Sequence, residues 1–249
     1  MKISLIGYGQ MGKMIESCAL ERGWEVVSRI DPFAVDADVK HIEPAALQEA
    51  DVAICFTSPT AALDNIQQVL DCKIPLVMGT TGWNEYLPQV RQWVNQAGVG
   101  MVYSSNFSLG VNLFFRMVQE AAKIMNHFDL YDVAGFEAHH RLKQDSPSGT
   151  GITIANILLH NIARKNTLVT ERLDRKPQLD ELHFGSLRLG SIPGTHSVIF
   201  DSEFDSIELT HSARTRKGFA VGSLIAAEWL LGKQGLYTEA DLMNHLLGS

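Results

Sequence analysis

A short segment near the middle of the chain concentrates the residue types that bind anions and transfer protons. It holds four basic side chains within five positions, namely His139, His140, Arg141 and Lys143. Histidine titrates near neutral pH, whereas arginine and lysine keep their positive charge. Ser148-Gly149-Thr150 follows where a helix is predicted to begin, and backbone N–H groups at a helix start bind anions. The segment predicts a site for a small carboxylate or phosphate, with a source of protons beside it.

Two other interpretations of this segment remain open on spacing alone. The basic side chains could form a solvated surface loop, and Glu137 with His139 could ligate a metal ion. A metal is disfavoured because Arg141 and Lys143 would repel a cation. No helical H-E-x-x-H pattern or cysteine partner accompanies the histidines either. We therefore expect no metal site.

The start of the chain carries a second motif. Lys2–Ile6 is a short apolar run typical of a strand, and helical periodicity begins at Lys13. Between them lies a G-x-G-x-x-G turn made of Gly7, Tyr8, Gly9, Gln10, Met11 and Gly12. Its glycines allow a tight turn and a close approach to a pyrophosphate, which binds at the helix N-terminus. Asp31 ends the next predicted strand, at the distance where a ribose-binding carboxylate is expected.

Short apolar strands alternate with helices up to about residue 106, as a doubly wound parallel sheet requires. Ligands of such sheets bind beyond the carboxyl ends of the strands. Two further loops are predicted to fall there and to line a dinucleotide crevice, Gly79-Thr80-Thr81 and Ser105-Asn106-Phe107. The predicted strands are 2–6, 24–30, 52–56, 74–78 and 99–103.

The pattern changes after residue 125. Predicted strands no longer alternate with helices, which indicates an antiparallel or mixed sheet; they are 133–137, 184–189, 196–201 and 206–210. We therefore predict an α/β protein with a Rossmann-type doubly wound parallel sheet and an α+β substrate domain. Residues 1–106 and 218–249 are expected to form the dinucleotide-binding domain, and residues 107–217 the substrate-binding domain.

Composition and charge restrict the partners. The 249 residues are 45% hydrophobic and 20% charged, and their formal net charge of -7 argues against nucleic acid or an anionic membrane as a partner. No apolar run reaches the length of a membrane span, and the chain enters a strand at once, so we expect a cytoplasmic protein. Cys18, Cys55 and Cys72 are odd in number and widely spaced, which predicts reduced thiols.

Residues 137–150 read E-A-H-H-R-L-K-Q-D-S-P-S-G-T, which resembles the signature of the 4-hydroxy-tetrahydrodipicolinate reductase (dihydrodipicolinate reductase) family. The resemblance extends to the glycine turn, Gly79-Thr80-Thr81, Asn106-Phe107-Ser108 and residues 207–211. It implies NAD(P)H-dependent reduction of 4-hydroxy-tetrahydrodipicolinate to tetrahydrodipicolinate, in the diaminopimelate pathway of lysine biosynthesis. It also implies a homotetramer, with the second domain mediating oligomerisation.

The resemblance assigns roles to single residues. The acid and base groups of the family fall on His139 and Lys143, and which of them donates the proton stays open. The contacts to a substrate carboxylate fall on His140, Ser148, Gly149 and Thr150. For the second carboxylate the candidates are Arg188 and Arg214, with surface charge as the alternative interpretation.

The cofactor is expected to be NADH or NADPH, with NADH favoured. Asp31 is placed to bind ribose hydroxyls, and its charge would repel a 2′-phosphate. Pro32 follows it at a position near which some relatives use an arginine. Arg29 and Lys40 are the cations that a 2′-phosphate would need.

The chain departs from the family pattern at three places. The stretch from 31 to 51 is shorter than usual, Gly151 replaces a common alanine, and residues 194–196 lack the usual central glutamate.

Two rival functions remain. A dehydrogenase of an amino acid semialdehyde would keep the glycine turn but has no special use for residues 139–150. A regulator that binds NAD(H) without turnover would tolerate the loss of His139 and Lys143.

Overall fold

The structure is a computed structural model that describes residues 1–248. The chain forms two compact units. The first comprises Met1–Leu109 together with the chain from Lys217 onward, and the second comprises Gly110–Arg216. The cofactor-binding and substrate-binding functions assigned to the two predicted domains stay predictions.

Six strands of the first unit form one sheet: β1 (Lys2–Ile6), β2 (Glu25–Ile30), β3 (Val52–Cys55), β4 (Leu76–Met78), β5 (Gly100–Tyr103) and β11 (Gly235–Thr238). Their order is β11-β5-β4-β3-β1-β2, and all neighbours are parallel. The helices of this unit are α1 (Gln10–Glu21), α2 (Pro44–Leu47), α3 (Ala62–Asp71), α4 (Leu87–Ala97), α7 (Lys217–Leu230) and α8 (Glu239–Leu247). Short 3-10 turns occupy Pro59–Ala61 and Asn84–Tyr86.

Helices cover both faces of this sheet. Ile54 of β3 lies in one buried cluster with Ile15 of α1 and Leu224 of α7. Its neighbour Cys55 lies in a second buried cluster with Ile66 of α3. Because successive side chains of a strand point to opposite faces, the central strands are buried on both sides, as in a doubly wound sheet.

The edge strand β11 was not among the predicted strands. It has only four residues, Gly-Leu-Tyr-Thr, which do not alternate between apolar and polar, and all four are half-buried. It pairs with β5 along its whole length and extends the sheet from the predicted five strands to six. Thr238 at its end begins α8 through a capping box with Asp241.

The second unit is built on a mixed sheet of five strands: β6 (Asp132–His139), β7 (Thr167–Val169), β8 (Glu181–Arg188), β9 (Thr195–Asp201) and β10 (Ser206–Ser212). Their order is β10-β9-β6-β8-β7. The pairs β6–β9 and β9–β10 are antiparallel, and β6–β8 and β7–β8 are parallel. Strand β7 was missed because it is short and lies in a polar segment. The predicted fold class is confirmed.

Two helices pack on one face of the mixed sheet, α5 (Leu109–Met125) and α6 (Gly149–Asn161). Phe114 of α5 and Leu158 of α6 share a buried cluster with Phe184 and Phe200 of the sheet. Among residues 1–248, no helix of either unit is both long and apolar enough to cross a membrane.

Candidate active site

The glycine turn of the first unit lies between β1 and α1. Gly7 has a φ of 91°, and a Cβ there would lie 2.0 Å from the carbonyl oxygen of Phe56. A Cβ on Gly12 would lie 2.3 Å from the carbonyl oxygen of Gly7. Both positions therefore exclude a side chain, whereas Gly9 faces open space. Gly9 is also the N-cap residue of α1, where backbone N–H groups favour an anion.

Asp31 directly follows β2. Its carboxylate accepts hydrogen bonds from the backbone N–H groups of Tyr8 (2.8 Å), Phe33 (2.8 Å) and Ala34 (2.9 Å). Burial opposes the ionisation of Asp31, but these backbone hydrogen bonds outweigh it and lower its pKa. The carboxylate is thus charged at neutral pH and held beside the glycine turn. Residues 7–12 together with Asp31 are called the glycine-turn region below.

A cavity of about 500 Å³ opens in the glycine-turn region. Its lining includes Gly7, Gly9, Asp31, Lys40 and Thr57. Its volume and its mixture of backbone, apolar and charged groups suit part of a dinucleotide. The residues present therefore fit a nicotinamide dinucleotide, with the glycine turn at the pyrophosphate and Asp31 at a ribose.

The two cations that a 2′-phosphate would need have different surroundings. The guanidinium of Arg29 forms ion pairs with Glu16 and, at 3.1 Å, with Asp38. These partners raise the pKa of Arg29 and neutralise its charge. Lys40 lines the cavity, and its ammonium group donates a hydrogen bond to the carbonyl oxygen of Ala34 at 2.6 Å. Only Lys40 of the two lacks an ion pair among the described contacts.

The other predicted cofactor loops follow β4 and β5. Gly79 packs so closely on Phe56 that a Cβ would lie 2.1 Å from the phenyl ring. The hydroxyl of Thr80 is buried and accepts a hydrogen bond from the Thr57 N–H at 2.8 Å, and Phe107 lies in the apolar core. These two side chains therefore shape the loops rather than face a ligand. Side chains that reach the surface, in full or in part, belong to Gln10, Met11, Thr81, Ser105 and Asn106.

A buried polar cluster organises the second unit around Glu137, which is 0% exposed. Its carboxylate accepts hydrogen bonds from the N–H (2.9 Å) and the hydroxyl of Ser148. It also accepts from the guanidinium of Arg188 at 2.9 Å and from the hydroxyl of Ser186 at 3.2 Å. We call the set of Glu137, His139, Ser148, Arg188 and His196 the Glu137 network.

Strand pairing brings the histidines of this network to the carboxylate. Glu137 of β6 lies directly opposite His196 of β9, and His196 lies opposite His211 of β10. His139 is two positions from Glu137 and so shares its face of the sheet. The rings of His139 and His196 are 5.1 Å apart between centroids, and Nε2 of His196 is 3.5 Å from Oε2 of Glu137.

The environment separates the pKa values of the network. Burial opposes the ionisation of Glu137, but hydrogen bonds from His196, Ser148 and Arg188 lower its pKa far below the usual range. For His139 burial is the largest cause, and it lowers the pKa to about 4 although Glu137 acts in the opposite direction. Burial also lowers the pKa of His211. At neutral pH the network thus holds a charged carboxylate beside a neutral His139.

The remaining signature residues form the loop between β6 and α6. The ammonium group of Lys143 pairs with Asp145 at 2.7 Å. This pairing, together with a backbone hydrogen bond from Gly149, lowers the pKa of Asp145. Ser148 is the N-cap residue of α6, where its hydroxyl accepts from the Gly151 N–H at 3.0 Å. His140 and Thr150 are half-buried, and Gly149 is exposed.

Ser148 forms more hydrogen bonds within the protein than the sequence suggested. Both its N–H and its hydroxyl donate to Glu137. A direct contact from these donors to a substrate carboxylate would require them to leave Glu137. The predicted substrate contact of Ser148 therefore stays a prediction, whereas its role as the cap of α6 is observed.

Sequence reasoning missed the central roles of Glu137, His196 and Arg188. The two-residue spacing of Glu137 and His139 on a strand was a signal, because it places both side chains on one face. The partners on β8 and β9 gave no local signal, since strand register is set by distant residues. Arg188 is neither a surface charge nor a free clamp, because its guanidinium binds Glu137 and the carbonyl oxygen of Asp145. Arg214 is exposed.

One possible ligand set for a metal lies within this network. Ligand atoms of Glu137, His139 and His196 lie within 4.8 Å of one another. Arg188 opposes a cation there, because its charge lies 2.9 Å from the carboxylate and both carboxylate oxygens already accept hydrogen bonds. The expectation of no metal stays a prediction.

Comparison with known proteins decides the family. Models of the N-terminal and C-terminal parts of dihydrodipicolinate reductase match residues 1–107 and 110–243. The chain belongs to the dihydrodipicolinate reductase family. A 4-hydroxy-tetrahydrodipicolinate reductase of Christiangramia forsetii is 39% identical over 99% of both chains. One of Archaeoglobus fulgidus is 34% identical over 98% of this chain and 100% of the relative. Family membership makes the chain an NAD(P)H-dependent oxidoreductase acting on a small dicarboxylate.

Solved structures share the fold. A dipicolinate-bound dihydrodipicolinate reductase from Paenisporosarcina sp. TG-14 superposes with a TM-score of 0.78, at 21% identity over 96% of this chain and 97% of the other. GenD2 from gentamicin A biosynthesis, solved in complex with NAD, gives a TM-score of 0.59 at 10% identity, over 93% of this chain and 86% of the other. These similarities support the fold alone.

Proposed function

We propose that the Glu137 network and the neighbouring loop carry the chemistry of the family reaction in this chain. That reaction is the NAD(P)H-dependent reduction of 4-hydroxy-tetrahydrodipicolinate to tetrahydrodipicolinate in the diaminopimelate pathway of lysine biosynthesis. The observation that supports the proposal is that His139 and the start of α6 both lie against the buried carboxylate of Glu137, while Lys143 pairs with Asp145 on the loop that joins them. When bound, the dihydronicotinamide supplies a hydride, and the protein must supply a proton.

Lys143 is the proton donor in this proposal. With a pKa of about 4, His139 is neutral at pH 7 before substrate binds and cannot serve as a cationic acid. Lys143 is a cation on the loop between β6 and α6, and it already pairs with a carboxylate, Asp145. A dicarboxylate substrate would raise the pKa of His139, because a nearby negative charge favours the protonated imidazole. His139 then orients the substrate and stabilises charge as the proton moves.

The loop also holds a carboxylate of the substrate. Asp145 indicates how, because its carboxylate accepts from Lys143 and from the backbone N–H of Gly149. We propose that a substrate carboxylate takes this position, with Gly149 and Thr150 at the N-terminus of α6 as donors and His140 beside them. Ser148 fixes the turn, and its predicted contact with substrate is part of the same proposal.

NADH is used at least as well as NADPH in this proposal. Asp31 is charged and lies at the cavity, where it would repel a 2′-phosphate. Arg29 is neutralised by Glu16 and Asp38, which leaves Lys40 as the nearby cation that lines the cavity. Gly79-Thr80-Thr81 and Ser105-Asn106-Phe107 complete the proposed cofactor site, together with the glycine turn.

We propose that the second unit provides the interface of a homotetramer. The helices cover one face of its sheet, and the other face carries accessible apolar side chains, including the exposed Ala134 and Leu187 and the half-buried Phe136 and Ile199. Burying such a face against a second copy would remove it from water. A cytoplasmic location is supported by the free thiols of Cys18, Cys55 and Cys72, which suit a reducing compartment.

The direct test is a coupled assay in which a dihydrodipicolinate synthase supplies the substrate and NADH or NADPH oxidation is followed at 340 nm. The proposal expects turnover that depends on the synthase and is lost in His139→Ala and Lys143→Ala. Turnover of an amino acid semialdehyde instead would favour the rival dehydrogenase. NADH binding without turnover of either substrate would favour a regulator.

A further inference from the structure

Glu137 links groups that the proposed function treats separately. Its carboxylate receives donors from Ser148 at the start of α6 and from Ser186 and Arg188 on β8. It also lies 3.5 Å from His196 on β9 and 3.7 Å from His139 on its own strand. These partners come from three strands and one helix, although Glu137 itself is not proposed to contact a ligand.

His139 lies beside this carboxylate. Its Nδ1 atom is buried and has no hydrogen-bond partner in the described part of the chain. Oε1 of Glu137 lies 3.7 Å from this atom, slightly beyond hydrogen-bond distance. Catalytic hydrogen bonds often shorten when substrate binds. A carboxylate in this position favours the tautomer that carries the proton on Nδ1.

We infer that Glu137 is a positioning residue for the reduction, because its carboxylate orients His139 and, through Ser148, fixes the N-terminus of α6. One buried group would then set both the geometry of proton transfer and the geometry of carboxylate binding. The inference rests on the proposed roles of His139 and of residues 148–150.

Gly151 provides a way to disturb Glu137 without removing its charge. A Cβ at this position would lie 2.7 Å from Oε2 of Glu137 and 3.0 Å from Cε1 of Phe184. The carboxylate would have to move, and its hydrogen bonds from Ser148 and Arg188 would have to adjust. Alanine is common at this position in the family pattern, so we expect Gly151→Ala to be a milder disturbance than the loss of the charge.

The experiment compares Glu137→Gln and Gly151→Ala with the control Glu181→Gln. Glu181 on β8 pairs with Arg175 at 2.6 Å and takes no part in the network, so its variant removes a more exposed arginine–glutamate ion pair elsewhere in the unit. The readouts are the tautomer of His139 from ¹⁵N NMR at pH 7, dipicolinate affinity by calorimetry, NADH affinity by fluorescence, and kcat and KM. Circular dichroism and thermal unfolding check that each variant is folded.

We expect Glu137→Gln to mix the tautomers of His139, to weaken dipicolinate binding about tenfold or more, and to leave NADH affinity within about twofold. Its kcat should fall and its KM should rise together, because both proton transfer and carboxylate binding are affected. Gly151→Ala should change the same quantities less, and Glu181→Gln should change none of them.

An unchanged tautomer together with unchanged dipicolinate affinity in folded Glu137→Gln would overturn the inference. If that variant does not fold, the same two readouts on Glu137→Asp decide, because aspartate keeps the charge but draws the carboxylate away from His139, and wild-type values there would equally reject the inference. The NMR and calorimetric readouts need no turnover. A wild-type protein that fails to reduce the substrate would therefore contradict the proposed function without deciding the role of Glu137.

Discussion

In the glycine-turn region the decisive groups are backbone atoms, whereas in the Glu137 network they are buried side-chain charges. Gly7 and Gly12 have no room for a Cβ, and Asp31 is held by three backbone N–H groups. Glu137 is instead held mainly by side chains from other elements. In the proposed function the first region recognises a ligand by shape and the second by charge, so the two should respond to different kinds of substitution.

The largest expected effect concerns the charged groups of the second unit. Lys143→Ala should lower kcat by about 10²–10⁴-fold, because a general acid typically contributes that much. NADH affinity should stay nearly intact, since the loss acts on the transition state and not on the dinucleotide. The measurement is synthase-coupled turnover alongside a fluorescence titration of NADH.

The control for this variant is Lys123→Ala, which removes a lysine paired with Glu120 on α5 of the same unit. His139→Ala should fall in the range of Lys143→Ala, and the double variant should lose less than the product of the two. Turnover of Lys143→Ala within about threefold of wild type would reject its role as the acid.

In the glycine-turn region, Gly7→Ala should weaken NADH binding by about tenfold or more and destabilise the protein by about 1–3 kcal/mol. The substitution combines a φ of 91° with a Cβ 2.0 Å from the Phe56 carbonyl oxygen. Gly23→Ala is the matched control, because Gly23 has a φ of 72° but no atom within 4 Å of a Cβ. Equal losses in the two variants would mean that backbone strain, and not the close approach, matters at Gly7.

Asp31 is an exception in the glycine-turn region, because we propose that its charge decides which cofactor fits. Wild type should use NADH at least as well as NADPH, and Asp31→Ala should shift the ratio of kcat/KM toward NADPH by about tenfold, roughly 1.4 kcal/mol. Lys40→Ala should shift the ratio in the opposite direction. A wild-type preference for NADPH above about tenfold would show that Asp31 does not have the assigned role.

The smallest expected effect concerns acid stability. The pKa of His139 is lowered to about 4, whereas a histidine in an unfolded chain titrates near 6.5. Between these values the unfolded chain binds a proton that the folded chain does not, so stability falls as the pH drops from about 6.5 toward 4. The lowered pKa of Glu137 adds a further loss only below about 4.3, the usual value for an unfolded glutamate.

Thermal unfolding of His139→Gln should therefore depend less on pH than that of wild type between about pH 6.5 and 4. His160→Gln, which changes an exposed histidine on α6, should follow the wild-type curve. Parallel curves for wild type and His139→Gln would show that burial of His139 does not control this part of the pH dependence.

Local residues were sufficient to predict the glycine-turn region. A strand, a turn and a helix that are adjacent in the chain must also be adjacent in space, so Gly7, Gly12 and Asp31 could be placed from their spacing. The change from alternating helices to successive strands likewise predicted the mixed sheet. Strand β11 could not be predicted, because its four half-buried residues acquire their partner only from β5, far away in the sequence.

The sequence by itself predicted residues 137–150 as the chemical segment, because the order of side chains within one loop is a local property. Only the tertiary structure determined which groups surround Glu137. The register of β6 against β8 and β9 brings Arg188 and His196 to its carboxylate across 51 and 59 positions of the chain. Strand register is fixed by the packing of the whole sheet, and burial of the network then determines which of its groups are charged.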